Sequence, residues 1–193
     1  MDLRHPITSV VPSLDAEVLE ALSRSSSPAS LTKVQQRAGR GSLSGVRRVL
    51  ERMVEQGLVV RDATGYALNR NHLAADAVTS LTSLHAAFEE RLRAWIHDRD
   101  EPIEAVGLFG SMARREGGMD RDIDLLVIVE EGDLVALRED LTAAVRSWTG
   151  NDVQVVVLTR SAVRELHAQR ASLLDSWGRD LVMVTGPRDA VLG

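Results

Sequence analysis

The chain has 193 residues, 44% of them hydrophobic, and a net charge of −5. This length allows one large domain or two small ones, and the apolar content suffices for a core. No apolar run approaches 18 residues, which predicts no membrane span, and residues 1–12 lack the pattern of a secretory signal. The chain has no cysteine, so disulfides and thiolate zinc sites are excluded and a cytoplasmic location is expected.

The charge is unevenly distributed along the chain. Residues 31–70 carry 8 basic and 3 acidic side chains, a net charge of +5, whereas residues 71–193 carry 13 basic and 21 acidic ones, a net charge of −8. This asymmetry predicts two modules with different partners, the first of which is anionic. We therefore predict two domains, 1–74 and 75–193, of overall class α/β (α+β).

The first 74 residues have the pattern of a winged helix-turn-helix domain. Residues 1–12 show no periodicity and predict an irregular lead-in. The predicted elements are three helices, at 14–23, 31–38 and 42–56, and two strands, at 58–61 and 65–68. Ser30 and Ser42 can cap the second and third helices, and residues 62–65 form the turn of a two-stranded wing.

The third helix is expected to face a DNA groove with its N-terminal part. The predicted DNA contacts are polar or basic residues near this helix or on the wing: Arg40, Ser42, Ser44, Arg47, Arg48 and Arg61. Such charged contacts supply affinity but little sequence choice. The alternative is a winged domain that serves dimerisation or docking onto the second module.

Beyond residue 74, helical and strand patterns alternate, which predicts a small α/β sheet. The predicted helices are at 75–98, 134–148 and about 160–177, and the predicted strands are at 105–109, 122–129, 152–158 and 181–184. The apolar half of the second strand, Leu125 to Val129, is continuous, which is typical of a central strand covered on both faces.

One turn and one strand of this second module carry candidate chemistry. Asp122 and Asp124 are two residues apart on a strand, so both carboxylates leave the same face. Because the two negative charges repel, they favour a cation between them, and Mg²⁺ commonly uses one or two carboxylates plus substrate phosphates. Gly110 lets the backbone approach a phosphate closely, and the helix that Ser111 caps points N–H groups at it. The combination predicts a phosphoryl- or nucleotidyl-transfer site.

These residues carry a family resemblance. A Gly-Ser pair, ten intervening residues and Asp-x-Asp resemble the signature of the DNA polymerase β-like nucleotidyltransferase superfamily. The Ala113-Arg114 step and the run from Asp122 to Leu125 are similar to the minimal nucleotidyltransferases. Arg115 and Arg121 depart from the usual glycine and serine, at positions that supply no metal ligand. The resemblance covers roughly residues 85–186.

The resemblance implies a metal-dependent transfer of a nucleoside monophosphate from a nucleoside triphosphate to an acceptor hydroxyl. It implies that Asp122 and Asp124 hold Mg²⁺ or Mn²⁺. It also implies nucleotide contacts by the turn and its helix, namely Gly110, Ser111, Arg114 and Arg115; solvated surface arginines are the alternative for the last two. Small members of the superfamily work in toxin–antitoxin or antibiotic-modifying settings, so a partner antitoxin-like chain is one expected assembly. Winged-helix regulators commonly dimerise, so a homodimer is the other.

The superfamily usually places a third acid on the neighbouring strand. Gln154 aligns with that acid, and an amide is neither a base nor an anionic ligand. Asp152 lies two residues earlier on the same face, so it is either the third catalytic carboxylate or a turn cap with Asn151. The alternative function is therefore a DNA-binding transcriptional regulator whose degenerate nucleotidyltransferase domain senses a nucleotide.

Overall fold

The computed structural model describes residues 1–110, 122–169 and 172–192. The chain divides into two compact units, Asp2–Ala86 and Ala87–Gly193 together with Met1. The boundary after residue 74 stays a prediction. Across the described ranges, none of the helices is both long and apolar enough to cross a bilayer.

The N-terminal unit consists of five helices and one hairpin in the described chain. Its elements are α1 (Pro6–Val10), α2 (Leu14–Ser23), α3 (Leu31–Ala38), α4 (Leu43–Glu55), β1 (Val59–Asp62), β2 (Gly65–Leu68) and α5 (Ala75–Thr82). The hydroxyls of Ser30 and Ser42 accept from the N–H groups of Lys33 and Gly45 and thereby cap α3 and α4. Strands β1 and β2 are antiparallel, and Ala29 bridges to Tyr66 beside them.

The expectation of an irregular lead-in over residues 1–12 was wrong. Helix α1 begins with Pro6, whose fixed φ suits the first helical position. Leu3 and Ile7 are buried, and Ile7 joins the apolar core of this unit. Burial of these two side chains stabilises a helix too short to show a periodic pattern in the sequence.

The expectation of one helix over 75–98 was also wrong. Helix α5 ends at Thr82 and α6 (Leu84–His97) follows it. Between them Ser83 leaves helical geometry, with φ −105° and ψ 11°, and its N–H bonds to the carbonyl of Ser80 three residues back. A bond of this span tightens and ends the helical turn.

The C-terminal unit is a four-stranded mixed sheet with helices. After α6 its elements are β3 (Ile103–Phe109), β4 (Ile123–Val129), α7 (Leu134–Thr149), β5 (Val153–Thr159), α8 (Arg160–Ala168), α9 (Ser172–Asp180), β6 (Val182–Thr185) and α10 (Asp189–Leu192). The predicted helix at 160–177 is thus two helices, α8 and α9. The strand order is β5-β4-β3-β6. Only β4 and β5 are parallel; β3 is antiparallel to both of its neighbours.

Strand β4 is the centre of this unit, as its continuous apolar run predicts. Every residue from Leu125 to Val129 is at most 1% exposed. Leu126 and Ile128 pack in one cluster with Trp177 of α9 and Val163 of α8. Because side chains alternate along a strand, this face of β4 also carries Asp124.

Candidate active site

The chain turns sharply where β3 ends at Phe109. Gly110 follows with φ +72°, a left-handed conformation that residues with a Cβ rarely adopt. Phe109 pairs with Asp124 across the β3–β4 ladder, so this turn lies beside that carboxylate. A Cβ built on Gly110 would overlap Oδ2 of Asp124. The backbone conformation therefore favours glycine at residue 110, and a larger residue there would displace the Asp124 carboxylate.

The two carboxylates of the Asp-x-Asp motif lie at the start of β4. Asp122 is exposed and precedes the strand by one residue, whereas Asp124 is half-buried within it. The even-numbered residues Asp124, Leu126 and Ile128 share a face by strand alternation. Asp124 therefore lies on the face of β4 that packs on α8 and α9, at the start of the strand and beside Gly110.

Strand β5 adds two polar residues next to this pair. Gln154 is the register partner of Asp124 in the parallel β4–β5 ladder. The carbonyl of Asp152 accepts from the N–H of Ile123 at 2.9 Å, so Asp152 lies alongside the start of β4. The structure therefore brings the neighbourhoods of Asp122, Asp124, Asp152 and Gln154 together at one end of the sheet.

The side chain of Asp152 is held by a residue that the sequence reasoning missed. Arg146, in the last turn of α7, donates from a guanidinium nitrogen to Oδ1 of Asp152 at 3.0 Å. Asp152 is 75% exposed and Arg146 is 67% exposed, so this ion pair is solvent-screened and weak. The six-residue separation across Gly150 gave no recognisable signal in the sequence.

The donor set fits a divalent ion that a substrate helps to bind. Throughout residues 1–110, 122–169 and 172–192, no group of three or more His, Cys, Asp or Glu side chains could hold a metal by itself. Mg²⁺ commonly takes one or two carboxylates and completes its shell with substrate phosphates and water. Asp122 and Asp124 could hold such an ion, and the glycine turn leaves room for backbone to approach a phosphate.

Three predicted nucleotide contacts, Ser111, Arg114 and Arg115, lie outside the described residues.

The predicted DNA contacts lie in the N-terminal unit around α4 and the β1–β2 hairpin. Arg47 and Arg48 are exposed on α4. Arg61 of β1 lies over the Tyr66 ring, with its guanidinium carbon 5.4 Å from the ring centroid. A groove of about 300 Å³ runs between α4 and the hairpin and is lined by Arg47, Glu51, Arg61 and Thr64, among others.

The remaining predicted DNA contacts have structural partners. The Ser42 hydroxyl accepts from Gly45 N–H at 3.1 Å and shares a hydrogen bond with the Ser44 hydroxyl at 3.0 Å. Arg40 bonds to Oε1 of Glu17 at 3.0 Å, and Glu17 is only 8% exposed. Arg40 therefore neutralises a nearly buried carboxylate.

The comparison with protein families concerns this C-terminal unit. Residues 93–172 match the Polbeta family model, described as polymerase beta, nucleotidyltransferase. The match contains Gly110, Asp122, Asp124 and Asp152, and it supports the expected nucleotidyltransferase-type domain in this part of the chain. No curated protein matches the chain.

Several solved structures resemble part of the chain. A toxin–antitoxin crystal structure with AMP-PNP is 20% identical, with a TM-score of 0.41, over 52% of this chain and 75% of that one. The MntA–HepT toxin–antitoxin is 19% identical, with a TM-score of 0.38, over 54% and 74%. A tri-AMPylated Shewanella oneidensis HEPN toxin in complex with MNT antitoxin is 20% identical, with a TM-score of 0.38, over 54% and 74%.

Proposed function

We propose that this chain is a metal-dependent nucleotidyltransferase that transfers a nucleoside monophosphate from a nucleoside triphosphate to an acceptor hydroxyl. The observation that carries the proposal is the packing of the Gly110 backbone against the Asp124 carboxylate, within the residues that match the nucleotidyltransferase model. The Gly110 turn supplies backbone that can approach a phosphate closely, and the neighbouring Asp124 supplies a carboxylate of the kind that holds Mg²⁺ together with substrate phosphates.

Each residue has a separate role in the proposed reaction. Asp122 and Asp124 hold a divalent cation, Mg²⁺ or Mn²⁺, which when bound neutralises charge on the triphosphate. The Gly110 turn and Ser111 bind the β- and γ-phosphates, with the turn contributing backbone N–H groups. Arg114 and Arg115 pair with phosphate oxygens.

The acid on β5 would take the proton from the attacking hydroxyl. Asp152 is proposed for this role, because the pairing of Ile123 with Val153 places the residues before them, Asp122 and Asp152, side by side. Gln154 cannot act as a base, because an amide does not accept the proton. Arg146 holds the Asp152 carboxylate at the strand start. Because both side chains are mostly exposed, Asp152 can leave this partner and turn to an acceptor hydroxyl.

The N-terminal unit is proposed to bind DNA as a winged helix-turn-helix. The capped helices α3 and α4, the β1–β2 wing and the exposed Arg47, Arg48 and Arg61 support this reading. Ser42 and Ser44 lie at the start of α4, where short polar side chains can reach phosphates. Dimerisation, or docking onto the second module, is the alternative use of the same unit.

A second candidate function is favoured by one observation. Gln154 faces the neighbourhood of Asp124 at the strand position where the resemblance places an acid. A regulator that only senses a nucleotide needs no base there. In that case nucleotide would change DNA affinity, and no nucleotide would be transferred.

The two functions are separated by a labelling experiment on single-residue variants. We expect Asp124→Asn to abolish transfer of label from an α-³²P nucleoside triphosphate while leaving DNA binding intact. Glu131→Gln is the matched control, because Glu131 is an exposed acid beyond the opposite end of β4 and should transfer like the parent. Transfer that survives in Asp124→Asn contradicts the proposed site.

The role of Asp152 is tested in the same assay. Asp152→Asn should lower transfer at least about a hundredfold if the residue is the general base, and Arg146→Ala should leave most activity. If Asp152→Asn transfers nucleotide normally, Asp152 is not the general base.

The acceptor, an antitoxin-like partner and the cytoplasmic location stay predictions.

A further inference from the structure

The two edges of the C-terminal sheet differ in how they are protected. Strand β6 is an edge of only four residues, and its ladder with β3 shifts register between Val106 and Gly107. Nε of Arg93 donates to the carbonyl of Val184 at 2.9 Å, so a charged side chain occupies part of that edge. Short length, irregular register and a covering charge are the usual means of preventing edge-to-edge association.

The opposite edge, β5, has none of these protections. It is seven residues long, and its sequence, Val-Gln-Val-Val-Val-Leu-Thr, contains no charge, proline or glycine. Its ladder with β4 runs from Val153 to Thr159 without a register shift. Within the described part of the chain, no strand pairs with its outer side. A long, regular, apolar edge of this kind is a template for another strand.

The free backbone groups of β5 can be assigned to particular residues. The N–H of Ile123 bonds to the carbonyl of Asp152, and Ile123 is the register partner of Val153. In a parallel ladder, a residue bonds to the two residues that flank its register partner, so Ile123 bonds to residues 152 and 154. The even-numbered residues of β5 therefore direct their backbone N–H and carbonyl groups towards β4. The odd-numbered ones, Val153, Val155, Val157 and Thr159, direct theirs outward.

We propose that a second copy of this chain pairs with this edge, antiparallel, so that two sheets join through β5. A register centred on Val156 uses the whole strand: Val153 faces Thr159 of the second copy, and Val155 faces Val157. Each of these is a pair of outward-directed residues, which exchange two hydrogen bonds in an antiparallel ladder. A shifted register shortens the ladder.

Charge at the two ends selects the same register and the same partner. Asp152 immediately precedes β5 and Arg160 immediately follows it. In the register centred on Val156, Asp152 of each copy faces Arg160 of the other. Within the chain Asp152 pairs with Arg146, and Arg160 pairs with Glu104. Asp152 and Arg160 are 75% and 56% exposed, so these solvent-screened pairs can give way to a pair across the ladder. Opposite charges at facing positions stabilise a ladder and like charges weaken it.

The pairing has a consequence for the site at the start of β5. It places Arg160 of the second copy beside Asp152, so each site gains a cation from the other copy. This consequence rests on the proposed function, whereas the pairing itself does not, because it is measured by association state alone.

Cysteine cross-linking tests the register. The chain has no cysteine, so any disulfide that forms between two copies must come from the introduced cysteine. Val156→Cys meets its own counterpart in a non-hydrogen-bonded pair, with Cα atoms about 4.5 Å apart, within the range of a disulfide. Val157→Cys is the matched control, because residue 157 faces residue 155 of the other copy. We expect Val156→Cys to form disulfide-linked dimers at least about tenfold faster than Val157→Cys; equal rates, or no dimers, overturn the proposal.

Charge exchange tests the partner independently. In sedimentation of the full chain, Asp152→Arg and Arg160→Asp should each raise the dimer dissociation constant at least about tenfold, because each places like charges at both facing positions. An equimolar mixture of the two variants should dimerise again, since each copy then supplies the charge that the other lacks. That recovery distinguishes lost pairing from misfolding. A parent chain that stays monomeric throughout the micromolar range, or variants that dimerise like the parent, overturn the proposal.

Discussion

Replacing Gly110 by alanine separates the backbone requirement at this turn from the requirement for space. Gly110 has φ +72°, and its missing Cβ would overlap Oδ2 of Asp124. Gly150, which ends α7, has φ +68° and nothing within 4 Å of the same position. Gly150→Ala is therefore a control that carries the same backbone cost without the collision.

The two costs differ in kind. Holding alanine in left-handed geometry costs about 1–2 kcal/mol, so both variants should lose about that much free energy of unfolding. The collision at residue 110 is with the end of a short side chain, which can rotate away. Its main effect is to displace the Asp124 carboxylate, so the added loss of stability is expected to stay below about 1 kcal/mol.

Urea unfolding and nucleotide transfer measured on both variants check this reasoning. We expect similar midpoints for Gly110→Ala and Gly150→Ala, full transfer by Gly150→Ala once it is folded, and transfer at least about a hundredfold lower for Gly110→Ala. If Gly110→Ala transfers nucleotide like Gly150→Ala, the carboxylate at residue 124 does not need its observed position, and the site as described is wrong.

Three further outcomes concern the N-terminal unit. Arg47→Ala should weaken binding to all DNA sequences alike and reduce the slope of log affinity against log salt by about 1; an unchanged slope removes Arg47 from the interface. Arg40→Ala should lower the free energy of unfolding by at least about 1 kcal/mol, because the nearly buried carboxylate of Glu17 then loses its Arg40 partner. An unchanged midpoint of urea unfolding would show that Arg40 does not stabilise the fold. Hydrogen bonds from Thr64 lower the pKa of Asp62 in the folded chain. These bonds should therefore stabilise the β1–β2 turn fully at pH values above the unfolded pKa of an aspartate, about 3.9. The stabilisation should be lost as the pH falls through the lower pKa that Asp62 has in the folded chain. The Thr64 amide resonance should follow this titration in the parent and not in Asp62→Asn.

Much of the local structure could be predicted because its causes are local. Ser30 and Ser42 precede helices and accept from the first turn, as capping residues do. The run from Leu125 to Val129 forms a fully buried strand because a continuous apolar stretch can only be covered on both faces. The motif spacing predicted that Gly110 and Asp124 belong to one site, and the pairing of Phe109 with Asp124 across the sheet brings the two residues together.

The features that escaped prediction have causes that no sequence pattern reports. Helix α1 forms because Ile7 is buried in a core made by later elements. The break at Ser83 is marked by one hydrogen bond that spans three residues instead of four, and serine is also found inside helices. The pairing of Arg146 with Asp152 needs the turn after α7 to reverse the chain, and no spacing rule describes it.

Transfer of label from each of the four α-³²P nucleoside triphosphates, with Mg²⁺ or Mn²⁺ and with the protein itself or RNA as acceptor, examines the proposed chemistry without assuming an acceptor sequence. Asp122→Ala/Asp124→Ala is the control. Incorporation by the parent that is lost in the double variant, with both proteins folded, is the result we predict. No incorporation by the parent under any of these conditions, together with nucleotide-dependent binding to DNA, would contradict the transferase and favour the regulator.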